Sequence, residues 1–78
     1  MSDNTQLRRA IQRATGKKVS VWARKDEGCW YESACELDGR CEQGYFWGYA
    51  ESIADARNEA LSRVLAQVDP DAHTRLCC

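Results

Sequence analysis

The sequence predicts an α+β domain of order α-β-β-β-α, a three-stranded antiparallel sheet with two helices packed on one face. Three observations carry this expectation. Two stretches near the ends repeat apolar residues at spacings of three and four, three short stretches between them are strand-like, and Asp38-Gly39 separates the last two strands as a hairpin turn. A chain of 78 residues has room for a single small domain. Its ordered core is expected over about residues 4–69, with a flexible tail over 70–78.

The first helix follows from Leu7, Ala10, Ile11 and Ala14, which fall on one face of residues 4–15, and Gly16 supplies its stop. Residues 17–25 alternate Val19, Val21 and Ala23 against Ser20, Trp22 and Arg24, the period of a half-buried strand. Asp26-Glu27-Gly28 then turns the chain. Residues 29–37 and 40–49 flank Asp38-Gly39, a dipeptide that tolerates the positive φ of a two-residue hairpin. In Ser52-Ile53-Ala54-Asp55, Ser52 can accept an unpaired amide and open the second helix. Its apolar stripe of Ile53, Ala56, Ala60, Leu61, Val64, Leu65 and Val68 runs to Asp69-Pro70, read as the helix end.

If Asp38 and Gly39 are the turn residues, Leu37 faces Arg40, Cys35 faces Glu42, Tyr31 faces Phe46 and Trp30 faces Trp47. One sheet face then carries Val19, Val21, Ala23, Cys29, Tyr31, Ser33, Cys35, Leu37 and Phe46, with Gly44 and Gly48 leaving space for a helix. This is the expected core face. The other carries Trp22, Trp30, Ala34, Tyr45 and Trp47 among Arg24, Glu32, Glu36 and Gln43, too many charges for a dry core yet every tryptophan in the chain. An exposed aromatic cluster reads either as a contact surface or as cross-strand packing that stiffens a small sheet.

The net charge of −1 argues against a strong general affinity for phosphate backbones, but it hides a division. Residues 1–25 hold seven bases against Asp3, whereas residues 26–59 hold nine acids against Arg40 and Arg57. No apolar run approaches the roughly 20 residues that span a bilayer, and residues 1–6 lack a signal-peptide core, so no membrane association and a cytoplasmic location are expected. The five cysteines are an odd number and are expected to remain thiols. No metal site or cofactor is expected, because Cys29, Cys35 and Cys41 lack the close pairing of structural zinc sites. Catalysis is not expected either, since the single histidine, His73, falls in the tail.

Over roughly residues 6–65 the chain resembles the double-stranded RNA-binding domain. Gly48-Tyr49-Ala50-Glu51-Ser52 and the following Ala56, Arg57, Ala60, Leu61 and Leu65 fall in the phase of that family's last helix. Ser52 corresponds to the family serine, Ala56 and Ala60 to its packing alanines, and Arg57 to the last of its three lysines. Ile53 and Ala54 stand in place of the other two lysines, Asp55 adds an acid, and Glu27-Gly28-Cys29-Trp30 lacks the family's loop histidine. The resemblance implies the fold, and it implies an RNA contact from which most of the phosphate-binding charge is missing.

The leading functional expectation is a small non-enzymatic protein-binding module. Its surface would be the acidic and aromatic sheet face of Trp22, Trp30, Tyr45 and Trp47 with Glu32, Glu36, Asp38 and Glu42. In size, mild acidity and build the chain resembles the small proteins by which phages block bacterial defence, anti-CRISPR inhibitors among them, which implies a host or defence complex as partner. The alternative is nucleic-acid binding through the basic first helix and strand, using Arg8, Arg9, Arg13, Lys17 and Lys18. Homodimerisation through the aromatic face is a third expectation.

Overall fold

The structure, a computed structural model, describes residues 4–26, 28–40 and 47–77. Helix α1 (Asn4–Thr15) leads into strands β1 (Val19–Lys25), β2 (Tyr31–Leu37) and β3 (Trp47–Ala50), followed by helices α2 (Ile53–Val68) and α3 (Pro70–Cys77). The strands form one antiparallel sheet in the order β1-β2-β3. The α-β-β-β-α order expected from the sequence is present, with a further helix after it.

Local chemistry accounts for the boundaries. Gly16, at φ +69°, ends α1 with its amide bonded to Gln12 O at 2.7 Å. Ser52 is extended and its Oγ accepts from the Asp55 amide at 3.1 Å, capping α2 as its sequence suggests. Asp38 and Gly39 both have positive φ, 53° and 78°, and Leu37 and Arg40 exchange both backbone hydrogen bonds across them, at 2.8 and 3.0 Å. This is the expected two-residue turn.

The hairpin register differs from the one that this turn alone predicts. Leu37 faces Arg40 as expected, but Trp47 faces Ala34 instead of Trp30, and Tyr31 faces Ala50 instead of Phe46. Between the Leu37–Arg40 bridge and the Ala34–Trp47 pair, β2 advances three residues while the returning chain advances seven. The offset of four is even, so the described residues of β1, β2 and β3 keep the face that the alternation assigned to them. The Cys35–Glu42 pairing and the places of Gly44, Tyr45 and Phe46 lie outside the described residues. Cys29 precedes β2 and is exposed, so it leaves the expected core face.

One sheet face is closed by the helices. Val19, Cys35 and Leu37 pack with Leu7 and Ile11 of α1, with Ala60, Leu61, Val64 and Leu65 of α2, and with Ala72 of α3. Gly48 lets α2 approach β3: a Cβ there would lie 2.3 Å from Ala56 O and 2.7 Å from Ala60 N, so no side chain fits. The one buried polar side chain on this face among the described residues, Ser33, donates to Trp22 O at 2.8 Å.

The segment expected to be a flexible tail is helical through Cys77. Asp69-Pro70 is a junction as well as a stop: Asp69 closes α2 through its amide to Leu65 O at 2.8 Å, and its Oδ1 accepts from the Ala72 amide at 3.1 Å. Proline is well suited to the first position of the new helix, where its missing N–H leaves no bond unmade. Ala72 is buried, and Leu76 and Cys77 pack against the core. Ser62 Oγ lies 3.0 Å from His73 Nε2 and donates to Cys77 Sγ at 3.4 Å, tying α3 to α2.

Candidate functional site

Among the described residues, no helix covers the second face of the sheet. Trp22, Arg24, Glu32, Ala34, Glu36, Trp47 and Tyr49 point to it, as the period of two requires. The aromatics form two unlike pairs. Trp22 and Trp47 stand on the outer strands, which lie roughly 10 Å apart on either side of β2. Their rings nevertheless meet edge to face with centroids 5.3 Å apart. They close over Ala34, their common neighbour, which is only 1% exposed. Trp22 Nε1 donates to Glu36 Oε1 at 3.2 Å, and the Arg24 guanidinium lies 5.4 Å from the Trp22 ring centroid.

The second pair is Trp30 and Tyr49, diagonal neighbours at the opposite end of the face. Their rings stack with an interplanar angle of 1° and centroids 5.2 Å apart. Trp30 is 40% exposed and Tyr49 48%. The turn before β2 holds this stack in place: the Asp26 amide donates to Trp30 O at 3.0 Å, and Asp26 Oδ1 accepts from the Gly28 amide at 2.7 Å. The Tyr49 hydroxyl donates to Asp26 Oδ2, so one carboxylate joins the turn to β3. The Tyr49 hydrogen bond, helped by the Gly28 amide, lowers the Asp26 pKa. The same bond raises that of Tyr49, with smaller contributions from desolvation and from the charges of Asp26 and Glu32.

The carboxylates differ in how far they are compensated. Glu32 pairs with Arg24, its direct neighbour across β1 and β2. Glu36 and Asp26 accept from neutral donors, an indole and a phenol, and not from a cation. Asp38 lies at the other end of the sheet, where its Oδ1 accepts from the Lys18 amide at 2.8 Å, a turn-fixing role. Of the residues expected at the site, the face therefore gathers Trp22, Trp30, Trp47, Glu32 and Glu36. Tyr45 and Glu42 lie outside the described residues. Asp26 and Tyr49 join the site although the sequence did not mark them. For Tyr49 the signal was the alternation continued one step beyond Trp47, which places it on the aromatic face; Asp26 had none.

Of the basic residues of the alternative surface, Arg8, Arg9 and Arg13 stand on α1, and Lys17 and Lys18 lie between α1 and β1. Arg8 turns toward β1, its Nη2 donating to Val19 O at 3.1 Å, and the Lys18 amide is engaged by Asp38. Arg9 and Arg13 line a groove between α1 and α3.

No protein-family model matches this chain, and neither a curated protein nor a solved structure does. The likeness to the double-stranded RNA-binding domain is therefore one of element order and sheet topology. Among the described residues, no helix is long and apolar enough to cross a membrane.

Proposed function

We propose that this protein is a small non-enzymatic binding module whose open sheet face docks on a basic protein surface. The observation that carries the proposal is the exposed Trp30–Tyr49 stack beside Asp26, with Glu36 further along the same face. Stacked rings present apolar area at low rotamer cost, and carboxylates beside them suit arginine and lysine, whose cations both pair with acids and stack on rings. A face of this chemistry is complementary to surfaces that bind nucleic acid. Occupying one would inhibit a host nucleic-acid-handling or defence complex, the role of the phage inhibitors that the chain resembles in size and charge.

Affinity capture from lysate of the native host, with the parent chain and with Trp30→Ala and Glu36→Gln variants, tests the proposal. It expects a partner with a basic surface that is retained at low salt, released as salt rises, and lost with Trp30→Ala. Retention of the same partner by a folded Trp30→Ala variant would overturn it.

A further inference from the structure

The groove between α1 and α3 has a different chemistry from the sheet. It encloses about 420 Å³ and is lined by Gln6, Arg9, Ala10 and Arg13 from α1 and by Asp69, Ala72, Arg75 and Leu76 across from them. Arg9 and Arg13 are one helical turn apart and so share a face of α1, while Arg75 stands on the facing helix. All three are exposed, and none has an ion pair or hydrogen bond among the described residues. The one acid in the lining, Asp69, is engaged in capping α3 through the Ala72 amide.

Three guanidinium groups against one engaged carboxylate leave the groove cationic. Guanidinium is matched in shape to phosphate, which it binds through paired donors. The remaining lining is apolar: Ala72 is buried at its base, and the partly buried Ala10 and Leu76 leave a low surface on which a planar ring can lie. The volume falls in the range of small-molecule sites, roughly 300–1,000 Å³, and is too small for a folded partner.

We propose that the groove between α1 and α3 binds a nucleotide-type phosphomonoester, its phosphate held by Arg9, Arg13 and Arg75 and its ring seated on Ala10 and Leu76. The phosphomonoester is either a free nucleotide or the 5′-phosphorylated end of a strand. The site stands apart from the open sheet face and does not depend on what docks there.

The test is a calorimetric titration of the full chain with AMP, adenosine, inorganic phosphate, a glutamate-rich peptide, and a tetranucleotide with and without its 5′-phosphate. The proposal expects saturable AMP binding, weaker by about tenfold or more for adenosine and for phosphate alone, because ring and anion both contribute. Arg75→Gln, and Arg9→Gln with Arg13→Gln, are each expected to weaken AMP about tenfold without changing the circular dichroism, since these side chains are exposed. Trp30→Ala should leave AMP binding unchanged. A 5′-phosphorylated tetranucleotide that binds more tightly than AMP and loses this advantage without its phosphate assigns the site to strand ends; otherwise the ligand is the free nucleotide. Inorganic phosphate or the acidic peptide binding as well as AMP, or an Arg75→Gln variant that binds AMP like the parent, would overturn the proposal.

Discussion

Trp22 and Trp47 meet edge to face over an alanine that is 1% exposed, whereas Trp30 and Tyr49 lie parallel on the same sheet with 40% and 48% of their surface open. Both pairs have centroids a little over 5 Å apart, so ring contact alone does not separate them. What lies beneath and around them does. The tryptophan pair spans the whole sheet width and roofs Ala34, which gives the open face a small apolar layer of its own. The Trp30–Tyr49 pair is held from its polar rim by Asp26. Composition that looks like one aromatic patch thus divides into a part that covers a buried residue and a part that stays exposed.

The largest expected effect breaks the frame that both pairs share. Trp47 and Tyr49 flank Gly48, whose missing side chain lets α2 lie against β3. Gly48→Ala drives a methyl into the α2 backbone and should cost about 3 kcal/mol or prevent folding, as overpacking against an unyielding neighbour does. Thermal unfolding followed by circular dichroism measures this loss, and a parent-like midpoint would show that α2 does not seat on β3 as described.

Next in size are the two halves of the face. Trp47→Ala removes one side of the roof over Ala34 and should destabilise the domain by roughly 2 kcal/mol, below the cost of truncating a fully buried tryptophan. Trp30→Ala removes an exposed ring and should change stability by no more than about 0.5 kcal/mol. Urea unfolding of the two variants side by side sharpens the comparison. Equal losses would erase the division between them.

The folded elements were largely legible in the sequence because they rest on local chemistry: Gly16 and Ser52 at helix ends, Asp38-Gly39 in the turn, and alternation along Val19–Lys25. The face of each strand residue was legible for the same reason. Register was not, because a turn fixes only the pair that it closes, and by Trp47 the pairing differs by four from the one the turn implies. Helix α3 was hidden by Asp69-Pro70, which has the composition of a stop and is in fact a cap followed by a helix start. Reading 70–78 as a tail also concealed Arg75, without which Arg9 and Arg13 face no opposing cation. The bond between Asp26 and Tyr49 joins residues 23 apart and has no local signal.

The smallest expected effect is a titration. Because Asp26 is lowered, its contact with Tyr49 is intact above the ordinary carboxylate range and is lost as pH falls through the lowered value. Because Tyr49 is raised, the contact is intact below the ordinary tyrosine range and is lost as pH rises through the raised value. Between these limits the stack keeps its polar anchor. Tyrosinate absorbance should show Tyr49 titrating above ordinary tyrosine, and Asp26→Asn should bring it down. An unchanged profile in that variant would separate Asp26 from the stack.

The central claim is that the Trp30–Tyr49 end of the open face is the part that meets a partner. The three tryptophans give three indole N–H signals in a ¹H–¹⁵N spectrum, and each can be assigned from a single substitution. Addition of the captured partner should shift or broaden the Trp30 signal most, with Trp22, whose Nε1 is bonded to Glu36, and Trp47 moving less. Perturbation of Trp22 and Trp47 with Trp30 unmoved would contradict the account.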